Sequence, residues 1–268
     1  MDTYSYTEGS SPLLLSLPHD GTAIPDAIAA RMTETGRGVP DTDWQVSRLY
    51  GFAAAVGASI LRPVYSRYVV DLNRPPDGAA LYPGAPNTGL CPTASFAGES
   101  LYQTGAEPDP DEIEARRARY WQPYHKQLRE TLAALRARHG FALLWDAHSI
   151  RSRVSRLFPG RLPDLNLGTY HGASCAAALE QALAEVLAAV PEYTHVINGR
   201  FSGGYITRHY GDPDAGIHAV QLEQAQITYM DETPPFAWSE ACARRVQDVL
   251  RGLLRTMLRW SANEGTGR

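Results

Sequence analysis

Leu13 to Leu17 is an apolar run interrupted only by Ser16 and closed on both sides by Pro12 and Pro18. A run so short, bounded by residues that cannot extend a sheet ladder, predicts a buried central strand rather than a helix. Similar runs follow. Ile60 to Tyr65, Tyr68 to Leu72, Phe141 to Asp146, Val196 to Ile197 and Ala219 to Tyr229 all read as strands. Asn73-Arg74-Pro75-Pro76 ends the third of these six runs, because proline has no N–H to give to a neighbouring strand.

Between the strands the apolar period lengthens. Weak helical patterning covers Pro25 to Thr35, and Asp41-Thr42-Asp43 supplies N-cap chemistry for a stronger segment carrying Val46, Leu49, Tyr50, Ala53 and Ala54. Asp109-Pro110-Asp111 opens a helix through Ile113, Tyr120, Leu128 and Leu135, with a kink expected at Pro123 and a stop at Gly140. Further helices are expected around Ser174 to Val190 and Ser239 to Met257. Gly203-Gly204 reads as a flexible turn, and the stretch from Ser149 to Leu167 as a loop. Pro76 to Pro110 is an irregular segment long enough to suggest a functional or mobile loop. Alternating strands and helices predict an α/β fold: a single domain over residues 1–268, with a mixed, largely parallel sheet flanked by helices. Residues 1–10 are expected to form a flexible N-terminal segment.

Composition narrows the class. With 44% hydrophobic and 20% charged residues the chain is an ordinary globular one. A net charge of −4, and no Lys/Arg block to follow a phosphate backbone, argue against nucleic acid as a partner. The opening residues lack the basic and apolar regions of a secretory signal, and no run approaches the roughly 18 apolar residues of a membrane span. The expectation is a cytoplasmic protein without a membrane partner. Oligomeric state leaves no mark in this sequence. Cys91, Cys175 and Cys242 are too few and too scattered for a disulfide framework or a zinc–thiolate cluster. A Cys175 nucleophile beside His171 is the minor alternative to a buried thiol.

The chemistry gathers at strand ends. His19 and His148 both follow expected strands, at the carboxyl edge where open α/β folds carry their sites. Neutral imidazoles plus one carboxylate suit a divalent metal, Zn²⁺ first, although Fe²⁺, Co²⁺ and Mn²⁺ accept the same donors. The position three residues after His19 is Thr22, so a short-spacer His–carboxylate pair is absent. Asp43 is the preferred third ligand, with Asp41 next and Asp20 also possible in principle; Asp43 reads equally as a helix cap. Asp146, two residues before His148, could hold that imidazole or bind metal itself. Glu223 is a carboxylate inside an apolar strand, an expensive burial that a general-base role would explain. Arg74, after Asn73, could clamp a substrate carboxylate; Arg67, Arg153, Arg156 and Arg208 lie in or beside expected site-edge segments and suit an anionic substrate.

Taken in order, several segments form a recognisable series: Pro18-His19-Asp-Gly-Thr-Ala-Ile-Pro25, Asp43-Trp44, Ser66-Arg67-Tyr-Val-Val-Asp71-Leu-Asn73-Arg74-Pro75, Asp146-Ala-His148-Ser149 and Asn198-Gly-Arg-Phe-Ser-Gly-Gly204. Together with Ala219-Val-Gln-Leu-Glu223 and Tyr229-Met-Asp-Glu232, the chain resembles the N-formylglutamate amidohydrolase family over nearly its whole length. The resemblance implies a zinc-carboxypeptidase-like fold and hydrolysis of N-formyl-L-glutamate to formate and L-glutamate, late in a histidine-degradation route. It also implies His19, Asp43 and His148 as ligands of one divalent metal, Glu223 as the catalytic carboxylate and Asn73-Arg74 as the carboxylate clamp. Arg67, Arg153 and Arg208 are further candidates to bind substrate. Removal of acetyl or succinyl from an acidic amino acid, or metal-dependent ligand binding without catalysis, are the competing expectations.

Overall fold

Seven strands form one sheet in the order β1-β3-β2-β4-β7-β5-β6. The computed structural model describes residues 2–81 and 88–264, the last four by backbone alone. The strands are β1 (Tyr4–Thr7), β2 (Leu13–Ser16), β3 (Ser59–Pro63), β4 (Ala142–Ile150), β5 (Leu165–Gly168), β6 (His195–Ile197) and β7 (Ile217–Ala225). The centre β3-β2-β4-β7 is parallel; β1 joins β3 antiparallel, β5 joins β7 antiparallel, and β6 runs parallel to β5. The mixed, largely parallel sheet is thus the one expected.

Eight α-helices are described: α1 (Asp26–Ala29), α2 (Glu34–Gly38), α3 (Val46–Leu49), α4 (Pro110–Arg116), α5 (Gln122–His139), α6 (Ala177–Ala188), α7 (Tyr205–Tyr210) and α8 (Glu240–Glu264). Two cores result because strand side chains alternate between faces. Leu13, Leu15, Leu143, Trp145, Val220 and Leu222 pack with α6 and α8. Leu14, Leu144 and Ala219 face the other way, against Tyr124, Leu128 and Leu132 of α5. β2, β4 and β7 are buried nearly throughout, as parallel strands covered on both faces must be. Further along that second face, toward the carboxyl ends, Leu144 and Ala219 give way to Asp146, His148, Gln221 and Glu223.

Several expectations need correction. Within the segment expected to be flexible, Tyr4–Thr7 is an edge strand paired with β3, with Tyr4 edge-on to Tyr124. Tyr68 to Leu72 is not a strand. Its backbone turns, with Tyr68 N–H bonding Ser66 Oγ and Asp71 Oδ1 accepting from Asn73 N–H. Tyr68, Val69, Val70 and Leu72 are all buried there, which mimics a strand's composition without its alternation. β4 continues four residues past Asp146, so His148 lies within the strand. β5 occupies part of the expected Ser149–Leu167 loop, and the Gly203-Gly204 turn leads directly into α7.

Asp109 caps α4 as expected, its carboxylate accepting from Glu112 N–H. The irregularity expected at Pro123 falls earlier, as a π-helical turn over Arg117–Trp121. Pro123 lacks the N–H of a regular ladder, and widening the preceding turn accommodates that loss. Gly140, at φ 84°, ends α5 in the left-handed conformation glycine tolerates. Residues 82–87 of the long loop lie outside the described residues.

Candidate functional site

Strand register brings the expected site residues together. Ser16 of β2 pairs with Asp146 of β4, and His148 of β4 lies directly beside Glu223 of β7. The chain leaving β2 turns at once to present His19. Asp43 arrives by a backbone bond from its N–H to the His19 carbonyl, and its Oδ2 accepts from Ser149 N–H. His19, Asp43, His148 and Glu223 are all buried.

Both imidazoles are oriented by carboxylates. His19 Nε2 is 2.8 Å from Asp71 Oδ1, and His148 Nε2 is 3.0 Å from Asp146 Oδ2, with Asn73 Nδ2 also at 3.0 Å. With the Nε2 protons given to those carboxylates, the Nδ1 lone pairs face one another at 3.1 Å. Asp43 Oδ2 lies 3.3 Å from His148 Nδ1 and 3.8 Å from His19 Nδ1. Three acceptor atoms converge, an arrangement that repels unless a positive charge lies among them. His19, Asp43 and His148 thus form a buried cluster able to hold a metal ion, with carboxylates fixing the imidazoles from behind as such ions require.

Without a metal, a proton on His148 Nδ1 can supply that positive charge. Burial works against the charged form of His148, yet Asp146 and Asp43 outweigh it and hold the group well above the ordinary imidazole range. His19 is lowered, first by burial and then by Arg67. Burial opposes ionisation of Asp71, but Arg67 and His19 hold it well below the usual carboxylate range. Burial pushes Glu223 up to about 8.

Asp41 and Asp20 do not join the cluster. Asp41 Oδ2 accepts from the Tyr68 hydroxyl and Phe96 N–H, both at 2.6 Å. Asp20 bonds Ser47 N–H at the start of α3 and pairs with Arg62. Asp43 does not cap α3: the N-cap residue is Gln45, whose side chain makes no capping bond, and it is Asp20 that takes the Ser47 N–H. Thr22 is exposed. Cys175 is packed in the first core and burial pushes its thiol up to about 12, which leaves no reactive thiolate for the His171 alternative.

One cleft opens over the cluster. Its polar lining includes His19, Asp43, Asn73, His148, Gln221 and Glu223, its cationic lining Arg67, Arg74 and Arg200, and its apolar wall Phe96, Ile150, Leu157 and Phe201. Arg67 bonds Asp71 Oδ2 at 2.6 Å and lies over the Phe96 ring; its buried Nε has no hydrogen-bond partner. Asn73 Oδ1 accepts from Ile206 N–H and Gln221 Oε1 from Gly204 N–H, so these two amides tie the start of α7 to the site.

Not every expected arginine lines the cleft. Arg153 is exposed and outside it. Arg156 bonds the Ser95 carbonyl. Arg208 braces the Gly203 and Leu81 carbonyls and covers the Tyr170 ring. Arg200 takes a place in their stead. It sits in the Asn198-to-Gly204 segment that carries part of the family resemblance, but one arginine in a glycine-containing loop has no periodicity to single it out.

A parallel sheet edge that presents two imidazoles, a carboxylate partner and a buried glutamate beside an arginine-lined cleft defines an α/β protein equipped for hydrolysis, with a cluster able to hold a metal ion. Residues 11–230 match the N-formylglutamate amidohydrolase family, and the chain belongs to that family. It is 51% identical over 258 residues to the N-formylglutamate deformylase of Pseudomonas putida, covering 96% of each chain. It is 52% identical over 259 residues to that of Pseudomonas aeruginosa, covering 97% of each. The fold matches the crystal structure of N-formylglutamate amidohydrolase from Ralstonia eutropha JMP134, with a TM-score of 0.80, 23% identity and 98% coverage of both chains. A gene product of Agrobacterium tumefaciens matches at TM-score 0.70 and 18% identity, over 96% of this chain and 95% of its own. No described helix is long and apolar enough to cross a membrane.

Proposed function

We propose that this protein hydrolyses N-formyl-L-glutamate to formate and L-glutamate, with His19, Asp43 and His148 holding one divalent metal, Zn²⁺ first among the candidates. The observation that carries the reading is the register of Glu223 beside His148, in a chain of which 96–97% aligns with relatives named N-formylglutamate deformylase. A bound divalent ion would supply Lewis-acid polarisation of the formyl oxygen and acidify water.

The chain's own groups do the rest. Glu223 accepts a proton from the attacking water as the oxygen–carbon bond forms, and returns it to the departing nitrogen as the carbon–nitrogen bond breaks. A carboxyl raised by burial is suited to both steps, because its proton affinity lies nearer the working pH. Arg67, locked against Asp71, faces the reacting end of the cleft and can donate to developing negative charge. Asn73 fixes the start of α7 and touches His148. Arg74, whose guanidinium is steadied by Thr88 Oγ1, offers a fork to the α-carboxylate.

Formate release by metal-loaded protein tests the reading, with N-acetyl- and N-succinyl-L-glutamate as competing substrates. Glu223→Gln should cut turnover by about 10²- to 10⁴-fold while metal content stays intact. Near-normal turnover in that variant would remove Glu223 from the chemistry, and preference for an acetyl or succinyl substrate would replace the formyl assignment.

A further inference from the structure

Arg200 and Arg74 reach the cleft from different parts of the fold and stand in different surroundings. Arg74 belongs to the turn after Leu72, among polar neighbours: its Nε and Nη2 bond Thr88 Oγ1, and its Nη1 bonds the Asn73 carbonyl. Arg200 belongs to the loop between β6 and α7, where Leu157 and Phe201 border it. Its Nε donates to the Leu157 carbonyl at 2.9 Å, and its guanidinium lies 5.2 Å from the centre of the Phe201 ring. Leu157, Phe201 and Ile150 line the cleft beside it, and Phe201 packs edge-on against Phe158 behind that wall. The third cation, Arg67, is already compensated by Asp71 and, at 3.8 Å, by Asp43.

We infer that Arg200 is the specificity-determining residue for a second, distal carboxylate carried on a short aliphatic spacer, the methylenes lying on Leu157 and Phe201. The assignment rests on the deformylase reading for the reaction itself. It follows from matching unlike ends of a ligand to unlike walls. An α-carboxylate beside an amide N–H suits the polar Arg74 corner. A carboxylate at the end of a methylene chain needs an apolar path ending in a cation, which is what the Leu157–Phe201–Arg200 wall supplies.

The test is a ratio. N-formyl-L-glutamine matches N-formyl-L-glutamate in shape but lacks the distal charge, so the preference kcat/KM(glutamate) over kcat/KM(glutamine) isolates the distal contact and is insensitive to the fraction of folded enzyme. In metal-loaded protein, Arg200→Met should lower that ratio by about 50- to 100-fold, the loss expected for one charge-assisted contact. Arg200→Lys should recover part of it, and Arg74→Met should leave it within about threefold, since both substrates share the α-carboxylate. A ratio unchanged by Arg200→Met overturns the assignment. If the unaltered protein hydrolyses neither substrate, calorimetric binding of glutarate against butyrate replaces the kinetic ratio. A preference for glutarate abolished by Arg200→Met would uphold Arg200 and overturn the deformylase reading alone, and no such preference would overturn both.

Discussion

His19 Nδ1 and His148 Nδ1 lie 3.1 Å apart while their Nε2 atoms are held by Asp71 and Asp146. Lone pairs aimed at each other across that distance, with Asp43 Oδ2 alongside, call for a cation. Purified protein should therefore carry about one equivalent of divalent metal per chain, consistent with a three-ligand site. Chelation should abolish formate release, and returning Zn²⁺ should restore it. Elemental analysis and activity on the same samples check this; full activity in demonstrably metal-free protein would refute it.

The same geometry assigns Asp71 a share in metal affinity without contact to the metal. It orients His19 and neutralises Arg67 at once. Asp71→Asn keeps the shape but weakens both interactions, so metal should bind about 10- to 100-fold more weakly. Competition against a chromophoric chelator would measure this, with an unchanged affinity counting against the orienting role.

Gly204 is the position where α7 meets the site. A β-carbon there would overlap the Asn73 amide, whose oxygen is held by Ile206 N–H and whose nitrogen lies 3.0 Å from His148 Nε2. The backbone of Gly204, at φ −84° and ψ −167°, is open to alanine, so the substitution probes contact rather than conformation. Gly204→Ala should destabilise the protein by about 1–3 kcal/mol, as overpacking does, and lower kcat/KM at least tenfold by displacing Asn73. Thermal unfolding and kinetics check the two parts; normal values for both would show that the loop can yield.

Where the sequence was legible, a short-range rule and the sheet coincided. His19 and His148 could be found because each follows an apolar run, and parallel strands converge at their carboxyl ends. Glu223 stood out because a carboxylate is rare in so apolar a strand. Asp71 is harder to place: it lies in the Tyr68–Leu72 segment that reads as a strand but is a turn, and its partners His19 and Arg67 meet it only in the closed fold. β5 was hidden because Leu165–Gly168 is four residues long and follows Pro163. α7, Tyr-Ile-Thr-Arg-His-Tyr, is built, Arg208 apart, from residues of low helix propensity and exists because its first turn is anchored on Asn73 and Gln221. Arg200 illustrates the same limit, since its environment is made by Leu157, 43 residues away in the chain.

His125 ties α5 to two site-bearing segments: its Nε2 bonds the Leu72 carbonyl at 2.8 Å and its Nδ1 lies 2.9 Å from the Tyr210 hydroxyl of α7. It is stacked on Trp121 and fully buried. Burial pulls its pKa down from 6.5 to about 3, with the nearby positive charges of His209 and Arg129 acting in the same direction. Between those values the unfolded chain binds more protons at this position than the folded one, so the contribution to stability is complete above pH 6.5 and is lost as pH falls toward 3. At pH 4 the loss should be about 3 kcal/mol. His125→Gln keeps a donor for Leu72 but cannot titrate. It should be less stable than the parent at pH 7.5, yet the gap between them should narrow by about 3 kcal/mol on going to pH 4. Urea unfolding of both proteins across that range reads the gap directly, and metal release on acidification, common to both, cancels in the difference. A gap that stays constant with pH would show that His125 accepts its proton in the folded protein as readily as in the unfolded chain.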